Sequence, residues 1–399
     1  MAQPEVSHHD VVIVGARCAG SASARLLAER GHDVVVLDRA EIQSDPLSTH
    51  GIARGGVVQL SRWGLLNDVL ASGAPAIRAV TFGIGGQETT REVKDRAGVD
   101  LLVAPRRTVL DTILADAAIA SGATVRTSTA VTDVIRDETG RVTGVRARRR
   151  DGRNLTLFGR HVVAADGLRS TLAPQLGATA RQTFSADVSL YYTYVDQVAW
   201  RGFEFHVSPG AFAGVFPTHE GQACVWLSRP TGLLEGVRRA GAGRTEALVD
   251  AIAEVAPSLG GRIRSGRVTS GVRGIIAPPN YVRHAFGPGW ALVGDAGYHR
   301  DPITGHGITD AFRDAELMAE ALDVALRHPA LEHEALRAYE QGRDDALAAT
   351  FRLTRELARF PHPSRFVELQ IELSEALDRE ARMLASRPAP VGQHAVSTA

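Results

Sequence analysis

The hydrophobic pattern is clearest near the start of the chain. Residues 11–14 (VVIV) form an unbroken apolar run that stops at Gly15, and a small-residue stretch of helical character runs on to Gly31. Residues 34–37 (VVVL) form a second apolar run that ends at Asp38. Two short apolar runs around a helix predict buried parallel strands in a βαβ unit. Further on, 57–73 predicts a helix closed by Gly73, 80–84 a strand and 89–98 a charged hairpin or loop. A helix over 108–122 places Val109, Ile113, Leu114 and Ala117 on one face. Strands are predicted at 124–126, 131–135, 142–148 and 155–158, with a further run ending at Asp166. The basic run 146–150 (RARRR) predicts a solvated edge.

From about 180 to 285 the texture changes to long alternating strands, interrupted by one helix over 244–259. Alternation of this kind predicts an antiparallel sheet with one face on a cavity. It puts Tyr192 and Tyr194 on one face and Tyr191 on the other. Residues 290–293 return to a buried strand, followed by helices over 308–327 and 331–360. A last helix carries Phe366, Leu369, Leu373, Leu377, Ala381 and Leu384 on one face, suited to packing on the domain or on a second subunit.

The predicted fold class is α/β (α+β). It comprises a Rossmann-like dinucleotide-binding domain over 1–180 with a strand excursion near 80–100, an inserted antiparallel-sheet substrate domain over 181–283, and a return to the first domain over 284–345. C-terminal helices over 346–386 and a disordered tail over 387–399 complete it.

Composition adds exclusions. With 399 residues the chain is too long for one ordinary core. Its 45 basic residues balance 45 acidic ones, which gives no reason to expect nucleic acid or an anionic membrane as partner. Cys18 and Cys224 are too few for a disulfide framework or a cysteine zinc site, and no metal is expected. Cys18, near a helix N-terminus, reads as a small residue packed in the turn. No apolar run reaches a membrane span and the first ten residues lack a signal-peptide core, so a cytoplasmic monomer or homodimer is expected.

The chemistry lies at the strand ends. Gly15, Ala16, Arg17, Cys18, Ala19 and Gly20 fill a G-x-G-x-x-G frame with Arg17 in place of the middle glycine. Backbone N–H groups at a helix N-terminus favour a diphosphate, and Arg17 either points out of the turn or helps to neutralise it. Asp38, 23 positions after Gly15, stands where a carboxylate takes ribose hydroxyls. The fingerprint by itself specifies a dinucleotide without saying which. His50 and Arg54 lie in the following loop. Asp166-Gly167 and Gly294-Asp295 end two further strands, and Gly305 and Gly307 precede a helix N-terminus, a place for a group that becomes negative.

In their order and spacing these three motifs resemble the class A flavoprotein monooxygenases of the p-hydroxybenzoate hydroxylase fold, over essentially the whole chain. The resemblance implies FAD. Gly15, Ala16, Ala19 and Gly20 would meet its diphosphate, joined by Arg17 and Cys18, with Asp38 and Arg39 at the ribose and Arg107 on the diphosphate side. Asp166 belongs to the second motif, Asp295 would hold the ribityl chain, and Pro302 would flank the isoalloxazine. Gly305, His306 and Gly307 would present N–H groups to flavin O2. Three departures mark a divergent branch. These are Arg17, Ala173 where the family has an arginine seven positions after the aspartate, and Asp301 before Pro302.

The activity implied is insertion of one oxygen atom from O2 into an aromatic or polyketide-like small molecule of secondary metabolism, through a flavin hydroperoxide. NADPH or NADH would supply electrons directly or through a separate flavin reductase. Asp301, Pro302, His50, Tyr192 and His206 are the catalytic candidates, with Tyr194 and His219 as further polar groups for the pocket. Alternatives are a reductase or halogenase on the same fold, or a non-catalytic FAD- or product-binding protein. The W-x-W-x-I-P signature of the halogenases is missing, and the P-x-x-Y-x-W-x-F-P pattern of the reductases is missing as well.

Overall fold

The computed structural model describes residues 5–185 and 187–388. Its first sheet has eight strands, five of them in the order Trp290–Leu292, Asn154–Ala164, Glu5–Val14, Val34–Leu37 and Thr124–Arg126, each parallel to its neighbour. Val11 and Ile13 face a layer of helices, Cys18–Ala28, Arg107–Ala120 and Gly307–Arg327. Val12 and Val14 face the opposite side, with Val145, Leu157 and Leu172. Both faces are covered, which is why these strands read as continuous apolar runs.

The second sheet takes its strands in the order Arg267–Val268, Val188–Asp196, Ala223–Pro230, Ala211–Pro217, Phe203–Ser208, Ala79–Ile84 and Gln87–Glu92. The excursion near 80–100 therefore belongs to this sheet, through parallel pairing of Ala79–Ile84 with Phe203–Ser208. The inner face carries Tyr192, Tyr194, Phe212, Phe216 and Trp226, and helix Pro363–Ser386 covers it with Phe366, Leu369 and Leu373.

Several expectations need correction. The helix read over 57–73 is two, Arg54–Arg62 and Leu66–Ala71, broken where Gly64 adopts φ 72°. The strand Val142–Arg149 is no edge. It is paired on both sides, and its arginines alternate with buried Val145 and Ala147. The helix Arg107–Ala120 buries Leu110, Asp111, Leu114, Ala115 and Ala118, a face turned one residue from the expected one. Apolar periodicity missed it because Asp111 is among the buried residues. Arg387, assigned to a disordered tail, pairs with Glu316 (3.1 Å) and Glu320 (2.5 Å). Residues 389–399 of that tail lie outside the described residues.

Candidate functional site

The loops at the carboxyl ends of the parallel strands converge on one region. Gly15 ends the first strand at φ 106°, and a Cβ there would lie 2.3 Å from the Ala165 carbonyl oxygen. A Cβ on Gly20 would lie 1.7 Å from the Gly15 carbonyl oxygen, so the turn closes only with glycine at both positions. Arg17 caps the helix in extended conformation and sends its guanidinium to Ser44 Oγ at 3.1 Å. Asp38 accepts the Ala16 N–H and the Ala40 N–H, both at 2.8 Å, tying the second strand to the glycine turn. Arg39 is exposed.

Arg107 is fixed by Asp111 one helical turn on, with Nε and Nη2 each donating at 3.0 Å. Asp111, fully buried, also accepts from Cys18 Sγ at 3.3 Å. Burial pushes the Cys18 thiol up, against the lowering a helix N-terminus would exert on its own. Asp111 was missed in the sequence, where its i+4 spacing from Arg107 was the available signal.

Asp166 accepts the Thr171 and Leu172 N–H groups through Oδ2, at 2.8 and 3.2 Å, and its buried Oδ1 meets no partner among the described residues. Ala173 packs in the core beside Leu172 and Leu176. Burial pushes the Asp295 carboxyl up, while His299, Arg107 and Arg300 pull it down. Arg107 and Asp295, from distant stretches of the chain, therefore share one neighbourhood.

The loop after Asp295 is held from below. Arg313, 1% exposed, donates to Asp310 (2.9 Å), Glu380 (2.8 Å), Asp314 (2.9 Å) and the Tyr298 hydroxyl (2.9 Å). Arg300 pairs with Asp310 at 2.6 Å, while its Nε and Nη1 meet no acceptor among the described residues. Pro302 opens a short turn that ends at Gly305, at φ 65°. His306 then precedes the helix starting at Gly307, and both its ring nitrogens are buried without partners among the described residues. Burial, with Arg300 nearby, pushes its pKa down to about 4, so it is neutral at pH 7.

Asp301 is 1% exposed. Its N–H donates to Asn280 Oδ1 at 2.6 Å, and Oδ1 accepts the Ile303 N–H at 3.0 Å. Oδ2 is buried with no partner among the described residues, and burial pushes the carboxyl up to about 6. An acid of this kind is poised to give up a proton near neutral pH.

Facing the loop is the inner wall of the second sheet. Ile303 packs in one cluster with Tyr192, Tyr194, Phe212, Phe216 and Trp226. The Tyr192 hydroxyl accepts the Ser48 N–H at 3.2 Å, and the Tyr194 hydroxyl is hydrogen-bonded to His50 Nε2. His50 is 1% exposed and adopts φ 68°, a left-handed conformation that costs a non-glycine residue about 1–2 kcal/mol. Burial, with Arg106 and Arg107 nearby, holds its pKa well below the ordinary value. His219 also reaches this region, hydrogen-bonded to the Arg106 N–H at 3.2 Å.

His206 does not join it. Along Phe203–Ser208 the alternation puts Phe203, Phe205 and Val207 on the inner wall, and His206 lies 3.5 Å from Glu204 Oε2 on the other face. A pocket role for His206 is thus replaced by a place beside the ion pair of Glu204 with Arg262. The wall also answers the reductase pattern. Residues 209–217 (PGAFAGVFP) keep its prolines and second aromatic, with Phe212 for Tyr and Gly214 for Trp. A Cβ on Gly214 would lie 2.3 Å from Trp226 Cζ2, so the indole across the sheet fills that space.

Residues 8–253 match a family model described as FAD binding domain. The digeranylgeranylglycerophospholipid reductase 2 of Methanopyrus kandleri is 29% identical over 390 residues, covering 93% of this chain and 91% of the relative. Further curated relatives between 25% and 29% identical are reductases by name. A triple mutant of the flavin-dependent brominase Bmp2 has the same fold, with TM-score 0.82, 19% identity and coverage of 96% and 97%. PqsL from Pseudomonas aeruginosa, described as a probable FAD-dependent monooxygenase, aligns with TM-score 0.77 and 23% identity over 91% of this chain and 100% of PqsL. Among the described residues no helix is long and apolar enough to cross a membrane, and no cluster could hold a metal ion.

Proposed function

From a chain that belongs to the FAD binding domain family, over residues 8–253, we propose a FAD-dependent reductase that saturates a carbon–carbon double bond in an apolar small molecule. The residues present fit FAD. The glycine turn leaves bare backbone at a helix N-terminus, Arg107 is oriented by Asp111, and partnerless atoms of Asp166 and His306 surround the same strand ends. FAD, when bound and reduced by two electrons, would supply the hydride.

The observation that carries the reading is Asp301, a buried acid with a free oxygen and a pKa raised to about 6, beside an apolar wall. The double bond accepts a hydride at one carbon and the Asp301 proton at the other, so Asp301 ends as the carboxylate and is reprotonated from solvent. Phe212, Phe216 and Trp226, packed with Phe366 of the covering helix, form an apolar surround that excludes water. The reductase relatives support the same choice. NADPH or NADH is the electron source, and the buried Ala173 favours delivery through a separate flavin reductase.

The second reading is the monooxygenase expected from the motifs, acting on an aromatic or polyketide-like molecule. His50 favours it: neutral and bonded to the Tyr194 hydroxyl, it can take a phenolic proton relayed through that tyrosine. One experiment separates the two. Chemically reduced protein mixed anaerobically with a prenylated lipid should reoxidise and yield a product two mass units heavier. Reoxidation only after O2 is admitted, with a gain of sixteen, would reverse the choice.

A further inference from the structure

Beside the His50–Tyr194 contact, an open cleft of about 510 Å³ is lined by Arg106, Thr108, Tyr194, His219, Glu220 and Ser270 among others. Neither proposed chemistry uses it. The Arg106 guanidinium lies 3.8 Å from the Tyr194 ring centre, in cation–π geometry. Its Nη1 donates to Gln222 at 3.2 Å, and its Nε is without a partner among the described residues. Arg106 and Arg273 share a single carboxylate, with Asp45 Oδ2 at 3.4 Å from one and 2.6 Å from the other. Two guanidinium groups on one carboxylate leave a net positive charge. Arg106 also caps the helix Arg107–Ala120, whose first N–H groups and dipole add to it. Glu220 is the one acid among the lining residues named, and it is exposed at the rim.

We propose that this cleft binds the phosphate of a ligand whose apolar part lies along the Tyr192–Trp226 wall. The hydroxyl of Thr108 can donate to a phosphate oxygen, and arginine is the side chain suited to such an anion. Tyr194 lines the cleft and belongs to the aromatic cluster, so a ligand held by its phosphate would have its apolar part beside that cluster. The proposal rests on the reading that an apolar small molecule is the substrate. A phosphorylated substrate and the phosphates of NADPH share this chemistry, and the test separates them.

FAD-loaded protein is titrated calorimetrically with octyl phosphate, octanol, NADPH and NADH; no turnover is required, so a wrong reaction class leaves the result interpretable. Octyl phosphate should bind at least tenfold tighter than octanol. Arg106→Met should erase that preference while leaving octanol affinity and FAD content unchanged, and Arg106→Lys should keep most of it. Asp45→Asn, which removes the shared carboxylate, should tighten octyl phosphate severalfold, a gain that damage to the fold would not produce. If Arg106→Met instead weakens NADPH more than NADH and leaves octyl phosphate unaffected, the site serves the dinucleotide and the substrate assignment is overturned. Equal affinity for octyl phosphate and octanol, with no response to Asp45→Asn, overturns the site altogether.

Discussion

Arg107 and Asp111 make two parallel contacts of 3.0 Å across one turn of a helix, in a place closed to solvent on the carboxylate side. The pair holds a guanidinium pointed toward the strand ends before any ligand arrives, so little ordering remains to be done on binding.

Asp111→Ala should therefore lower both stability and cofactor affinity. Removing one partner of a buried pair costs about 3–5 kcal/mol, because the other charge is left without compensation. Urea denaturation with and without FAD measures it. FAD should recover part of the loss by placing its diphosphate near Arg107.

The role proposed for Asp301 carries a pH dependence. As the acid it works protonated, so turnover should fall as pH rises through about 6. Asp301→Asn should flatten that profile and lower kcat by about 10²–10⁴-fold. The sign for stability is opposite to that of a paired carboxylate. A carboxyl raised from 3.8 to about 6 on folding destabilises the protein progressively as pH climbs between those values, and fully above them. Asp301→Asn should thus gain about 3 kcal/mol at pH 8 and nothing at pH 3, read from paired urea melts.

Gly20→Ala tests the turn. With backbone oxygen 1.7 Å from the new Cβ, the helix must shift, and the purified protein should lack the yellow colour of bound flavin. Gly140→Ala, at φ 83° with open space around it, should cost about 1–2 kcal/mol and keep the cofactor. Equal flavin content in the two would refute the role given to the turn.

Glu204 and Arg262 make the test of His206. Burial opposes ionisation of Glu204, but Arg262 at 2.5 Å and His206 outweigh it and hold the carboxyl down to about 2. The stability this contributes is present above about 4.5 and lost as pH falls toward 2. Arg262→Gln should cost about 3–5 kcal/mol at pH 7 while the visible spectrum of bound flavin stays unchanged. A changed flavin spectrum would return His206 and its neighbours to the pocket.

The sequence carried most of the dinucleotide half, because strand, turn and helix there are contiguous and each glycine answers a local need. It carried less of the rest. Asp111 was hidden because a buried carboxylate breaks the apolar periodicity that marks a helix face. Glu380 was hidden because its partner Arg313 lies 67 positions away and neither residue stands in a motif. Alternation gave the shared face of Tyr192 and Tyr194 but not which face of Phe203–Ser208 turns inward, and His206 was misplaced for that reason. Arg106 was passed over beside Arg107, though the two guanidinium groups have different partners, Gln222 and Asp45 for the first and Asp111 for the second.

The indole of Trp226 over Gly214 bears on how such chains are recognised. A signature is written along one strand, whereas the surface a ligand meets is woven from several. An aromatic ring can cross from one thread to its neighbour, leave a glycine behind, and preserve the fabric while the written pattern disappears. Searches for such a wall should therefore score paired positions across neighbouring strands, since a ring absent from one can be supplied by the next.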